Sequence, residues 1–99
     1  QVLVNLLDFG MNVQEAGDAP RLRHTGSAEP TGETMTDGGL LHLEHGLADS
    51  VLVELRLRGH NLGSSAVSYG GYQGIWRQDD PVRYFGGSDP RKDGCAIGY

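Results

Sequence analysis

The segment Val2-Leu3-Val4-Asn5-Leu6-Leu7-Asp8-Phe9 limits what this chain can fold into more than any other. On a helix, at about 100° per residue, Gln1, Asn5 and Asp8 share one narrow polar stripe. The six apolar side chains cover almost everything else. A helix that is apolar nearly all round is normally enclosed on several sides. The rest of the sequence offers few large apolar groups to enclose it, so the segment reads as a core helix of something larger. Its first residue is Gln and no cap precedes it, so the chain reads as beginning inside an element.

The next residues form a corner. Gly10 can take the left-handed conformation that closes a helix. Asn12 can cap a second helix, with Glu15 reaching back to complete a capping box. Pro20 cannot continue that helix and biases Ala19 towards an extended backbone. Gly17 is a poor helix former inside it.

Beyond the corner, Arg21 to His24 is expected to be extended. Residues 25–39 are rich in Gly, Ser, Thr and Pro and read as a surface loop, with Met35 tacking it down. Leu41 and Leu43 alternate with His42 and Glu44, which predicts a short strand ending by Gly46. Asp49 to Gly59 is ambiguous, because Val53 to Arg58 alternates like a strand. The caps on offer at Asp49 or Ser50, the Glu54/Arg58 spacing and Gly59 favour a helix. Strands are expected from Asn61 onward. Tyr72 to Arg77 and Val82 to Gly87 form a hairpin around Gln78-Asp79-Asp80-Pro81. A turn at Ser88 to Gly94 and a short strand at Cys95 to Tyr99 complete the chain.

Bulk properties narrow the function. With 99 residues the chain is treated as a single partial domain spanning 1–99. Sixteen glycines, where about seven would be usual, imply many corners and close backbone contacts. A net charge of -5, with no basic run, disfavours binding to nucleic acid. No apolar run is long enough to span a bilayer, so no membrane contact is expected. The single Cys95 cannot form an internal disulfide.

Residues able to carry chemistry are few. His42, Glu44 and His45 suggest a metal site. In an extended segment, however, His42 and Glu44 face opposite to His45, and only the distant His24 and His60 could add a ligand. A solvated strand and turn is the simpler reading. Cys95 lacks a neighbouring base and reads as a buried structural thiol. Gly70-Gly71 and Gly86-Gly87 open no helix and read as strand bends. Asp89, Arg91 and Asp93 suggest an ion pair holding a turn. Trp76 and Tyr72 suggest hairpin aromatics facing a core or a neighbouring strand. No catalytic, substrate-binding or metal residue is assigned, and no cofactor is implied.

The wording of the two ends is more specific than their chemistry. Val4-Asn5-Leu6-Leu7-Asp8-Phe9-Gly10-Met11-Asn12-Val13-Gln14-Glu15-Ala16, with Asp18-Ala19-Pro20-Arg21, resembles the gamma-glutamyltransferase (gamma-glutamyl transpeptidase) family. Ser88-Asp89-Pro90-Arg91-Lys92-Asp93-Gly94, closing with Ala96-Ile97-Gly98-Tyr99, resembles that family's carboxyl terminus. The resemblance implies an α+β fold, the C-terminal portion of an N-terminal nucleophile hydrolase αββα sandwich. It implies a precursor that cuts itself into large and small subunits. The new N-terminal Thr attacks a gamma-glutamyl amide, and a Gly-Gly pair stabilises the oxyanion. All of these residues would lie upstream of Gln1, which leaves this chain as scaffold, expected to be inactive alone.

The partners so implied are the rest of the small subunit and the large subunit, with self-association through the apolar helix as an alternative. The resemblance is compatible with a periplasmic or extracellular location. Two other readings stay open. One is a stand-alone module that binds a protein partner through its aromatic hairpin. The other is an acylase of the same nucleophile class with a different amide substrate.

Overall fold

The computed structural model describes residues 1–26, 37–63 and 69–97. In chain order the elements are α1 (Val2–Leu7), α2 (Val13–Asp18), β1 (Leu22–Thr25), β2 (Leu40–Leu43), α3 (Asp49–Leu57), β3 (Gln73–Asp79) and β4 (Val82–Ser88). They fall into two units, one made of Gln1–Ala19 and Gly70–Tyr99, the other of Pro20–Tyr69.

In the first unit α1 stops at Leu7, two residues short of the expected Phe9, and Gly10 turns the chain with φ 65°. Of the polar stripe of α1, Gln1 and Asp8 are exposed and Asn5 turns into the unit. Asn5 is half-buried, its Nδ2 donates to the Ala16 carbonyl at 3.4 Å, and its own carbonyl accepts from the Met11 amide at 3.0 Å. Leu3 and Leu7 are left 68% and 67% exposed. Leu3, Val4 and Leu7 thus form an apolar surface that the described part of the unit leaves exposed, while Val2 and Leu6 are half-buried.

The capping box of α2 forms as the sequence predicts. Asn12 accepts from the Gln14 and Glu15 amides at 3.0 and 2.9 Å, and its own amide donates to the Glu15 carboxylate at 2.9 Å. Ala19 is extended ahead of Pro20. Val13 and Ala16 on α2 are the buried apolar side chains among the described residues.

The hairpin pairs β3 with β4 in register from Gln73↔Ser88 to Asp79↔Val82. Its connection is Asp80-Pro81 alone, because Gln78 and Asp79, expected in the turn, extend the ladder. Gly74, Trp76, Phe85 and Gly87 share one face, and Ile75, Tyr84, Val82 and Gly86 the other. α2 packs on the first of these faces. A Cβ on Gly87 would lie 2.8 Å from the Val13 carbonyl oxygen, which is why β4 carries glycine there. No strand follows Gly94 among the described residues, so the expected Cys95–Tyr99 strand is absent as far as Ile97. Instead the Ala96 amide donates to Ser88 Oγ at 2.7 Å.

In the second unit β1 and β2 pair antiparallel from Leu22↔Leu43 to Thr25↔Leu40. Of the expected 25–39 loop, Thr25 ends β1, and residues 27–36, with Met35, lie outside the described residues. The strand expected over Asn61–Tyr69 reduces to one parallel bridge, Leu41↔Leu62, and residues 64–68 are outside the described set. Helix α3 settles the ambiguity at Asp49–Gly59 in favour of a helix. Neither Asp49 nor Ser50 caps it, because Ala48 holds the cap position without a side-chain bond. Gly59 (φ 88°) and the Glu54–Arg58 pair at 2.8 Å sit where the sequence puts them. No described helix is long and apolar enough to cross a membrane.

Candidate functional site

Three constellations could carry function. The first is a groove of about 680 Å³ in the first unit, between the α1–α2 corner and the hairpin. Leu6, Met11 and Val13 line one wall and Trp76, Tyr84 and Phe85 the other, with Asn12, Gln14 and Gly86 between them. The corner shapes the groove, since Gly10 reverses the chain and the capping box fixes the start of α2. Its lining carries no carboxylate, imidazole, thiol or aliphatic hydroxyl. The groove is built to hold apolar surface and has no group that could attack or shuttle a proton, apart from a phenol. Trp76 is 43% exposed and stands opposite Phe85 of β4, so of the two expected settings it takes the neighbouring strand and not a core.

The second is a clamp at the far end of α2. Asp89, fully buried, accepts from the Arg91 amide at 2.9 Å and from Arg91 Nη1 at 3.2 Å. The guanidinium continues to the last carbonyls of α2, from Nη1 to Gly17 at 3.0 Å and from Nη2 to Asp18 at 2.6 Å. A cation there satisfies orphan carbonyls at the negative end of the helix. Asp93 is exposed and takes no part. Gln14, which the sequence did not single out, ties α2 to β4. Its amide donates to the Ser88 carbonyl at 2.9 Å and accepts from the Ser88 amide at 3.1 Å. Tyr72 adds a third tie by donating its hydroxyl to the Val13 carbonyl at 3.0 Å. Burial raises the Tyr72 pKa above its ordinary value.

The third is the His42-Glu44-His45 set. His42 is buried rather than solvated, its Nε2 at 2.9 Å from Thr25 Oγ1. Its ring covers Gly63 so closely that a Cβ there would strike it. Glu44 is held by Arg21 through Nη2 at 2.7 Å, Nε at 3.1 Å and the backbone amide at 3.0 Å. The Arg21 guanidinium also lies 5.8 Å from the Tyr69 ring centre. Burial raises the Tyr69 pKa, and the Glu44 charge adds to the shift. No three His, Cys, Asp or Glu side chains among the described residues are arranged to hold a metal ion. Cys95 is exposed, not the buried thiol expected, because the tail that carries it runs over the surface instead of joining a sheet.

The glycine pairs also part company. Gly70 turns the chain with φ 83°, whereas Gly86 and Gly87 are close-contact positions inside β4. A backbone scaffold of this kind, with clamps and an apolar groove but no nucleophile–base pair in the groove, invites comparison with known proteins. The family model described as gamma-glutamyltranspeptidase matches residues 1–99. The chain belongs to the gamma-glutamyltranspeptidase family.

Among relatives, the Acylase ACY 1 proenzyme of Pseudomonas sp. (strain V22) is 35% identical over 101 residues. That match takes in 88% of this chain and 16% of the relative, so the chain spans a small part of the curated relatives it matches. Cephalosporin acylase from Bacillus halodurans superposes with a TM-score of 0.76 at 30% identity, covering 100% of this chain and 17% of that one. The gamma-glutamyltranspeptidase of Pseudomonas nitroreducens complexed with L-DON gives 0.73 at 25% identity, covering 100% and 47%. The fold is thus the α+β fold of the N-terminal nucleophile hydrolases, and this chain is a fragment of a family member.

Proposed function

We propose that these 99 residues are the C-terminal scaffold of the small subunit of a self-processing amidase or transferase of this family. The parent hydrolyses or transfers gamma-glutamyl groups of glutathione-like peptides through an acyl-enzyme on the N-terminal Thr of its small subunit. That Thr, the substrate-binding residues and the oxyanion glycines all precede Gln1. The remainder of the small subunit and the large subunit cover the apolar surface of α1. The observation that carries this reading is the family match over residues 1–99 in a chain that spans only 16% of its acylase relatives. Exposed Leu3 and Leu7 on α1 support it.

A same-class acylase is the second reading. It is favoured by one observation: identity to the acylases is 35% and 30%, against 25% to the Pseudomonas nitroreducens transpeptidase. Both readings assign the chemistry to upstream residues. The parent protein is assayed on a gamma-glutamyl anilide and on a cephalosporin amide, with the 99-residue chain beside it. Turnover of the anilide by the parent supports the first reading, and turnover of the cephalosporin alone supports the second. Turnover by the 99-residue chain defeats both.

A further inference from the structure

The sequence contains two Asp-Gly pairs, Asp37-Gly38 and Asp93-Gly94. Glycine after aspartate leaves its amide nitrogen open to the preceding carboxyl, because no Cβ stands in the way. The two pairs sit in very different surroundings. Asp37-Gly38 is held from both sides. Asn61 Nδ2 donates to the Asp37 carbonyl at 2.8 Å, and His24 Nε2 lies 2.8 Å from the Gly38 carbonyl oxygen. Asp93 and Gly94 are both exposed, although a Cβ on Gly94 would strike the Gln73 side-chain amide, and among the described residues neither takes part in a hydrogen bond or ion pair. The chain is nevertheless anchored on each side of them, by Arg91 on the end of α2 and by Ala96 on Ser88.

We infer that Asp93 is a site of spontaneous backbone isomerisation to isoaspartate, by way of a succinimide closed on the Gly94 amide nitrogen. The Gly94 nitrogen attacks Cγ of the protonated Asp93 carboxyl and forms the N–Cγ bond. The Cγ–OH bond breaks, and the hydroxyl leaves as water with the proton taken from the amide. One water then opens the ring at either carbonyl, giving aspartate or isoaspartate with no net change in composition. No oxidant or cofactor enters. An unbonded amide and an untethered carboxyl can reach the ring geometry, whereas the bonded carbonyls of Asp37-Gly38 resist it. The isoaspartyl form carries the main chain through Cβ. It therefore lengthens the link between Arg91 and Ala96 by one methylene and loosens the Ala96–Ser88 bond.

The full-length protein is held in mildly acidic buffer, sampled over days and mapped by mass spectrometry. Digestion uses an endoproteinase that cuts before aspartate but not isoaspartate, with isoaspartyl carboxyl methylation as a second readout. Isoaspartate is expected to build up at Asp93 several-fold faster than at Asp37 in the native protein. The two rates should converge in denaturant, and Asp93→Glu should remove the signal, since its six-membered imide closes far more slowly. The inference is overturned if Asp37 reacts as fast as Asp93 in the native protein. It is also overturned if Asp93 stays at the level of the other aspartates, or if the native preference persists unchanged in denaturant.

Discussion

Asp89 holds Arg91 by two of its donors at once, the backbone amide at 2.9 Å and Nη1 at 3.2 Å, from a side chain with no exposed surface. The pairing orients the guanidinium so that its remaining donors reach the carbonyls of Gly17 and Asp18. Removing the cation leaves a buried carboxylate with less compensation and frees the end of α2. Arg91→Ala should therefore cost about 2–4 kcal/mol in urea unfolding. Arg91→Lys should recover only part of that loss, because a point charge cannot bridge the carboxylate and two carbonyls together. A lysine variant as stable as the parent would remove the planar fork from this account.

Gly17 breaks the usual rule for helix interiors, where alanine is the more stable residue by about 0.5–1 kcal/mol. Here a Cβ would run into the Tyr72 ring, which sits over the helix while its hydroxyl reaches the Val13 carbonyl. Gly17→Ala should thus destabilise, and combining it with Tyr72→Ala should recover much of the loss. A melting temperature that rises for the single variant would show that the ring moves aside at no cost.

Tyr72 also sets a pH dependence. Its hydroxyl donates to a carbonyl, and burial raises its pKa, so the folded state favours the neutral phenol. The folded pKa lies above the unfolded value near 10.0, and the stabilisation is complete below that unfolded value. It is lost as pH climbs from there through the folded pKa, because the unfolded chain releases its proton first. Alkaline unfolding followed by tyrosinate absorbance should show this decline, and Tyr72→Phe should flatten it. An unchanged slope in Tyr72→Phe would assign the effect to another group, Tyr69 being the next candidate.

How much of this was legible in the sequence depends on whether the signal was local. The capping box at Asn12 and Glu15, the left-handed Gly10 and Gly59, and the Glu54–Arg58 pair are written within a few residues and appear as expected. The Asp89–Arg91 pair belongs with them, at a separation of two. The ties that hold the first unit together do not. Gln14 to Ser88 and Arg91 to Gly17 each span 74 positions, and an amide or a guanidinium carries no mark of which carbonyl it will find. Cys95 departs from its expected burial for the same reason. Whether a thiol is buried depends on what packs over it, and the strand expected to carry it does not form up to Ile97. From sequence Gly86 and Gly87 read as bends, but Gly87 is a point where a Cβ would press on the Val13 carbonyl of α2. A single sequence records the absence of a side chain there, not the helix that requires it.

Glu44 entered as a metal candidate and emerges as the partner of Arg21, with side chains 14% and 11% exposed. Two oxygens facing a guanidinium and a backbone amide leave that carboxylate engaged on both sides. Glu44→Ala should take the facing carboxylate from a mostly buried arginine and cost about 3 kcal/mol. Added zinc should leave the melting temperature of the parent protein unchanged. The informative variant is the double one, Arg21→Met with Glu44→Leu, in which neither charge has to be desolvated. Replacing a buried pair by apolar groups of similar volume is often neutral or stabilising. The double variant should therefore unfold closer to the parent than Glu44→Ala does. A double variant as unstable as the single one would mean that the Arg21 cation is held by more than Glu44, with the Tyr69 ring at 5.8 Å the first contact to remove next.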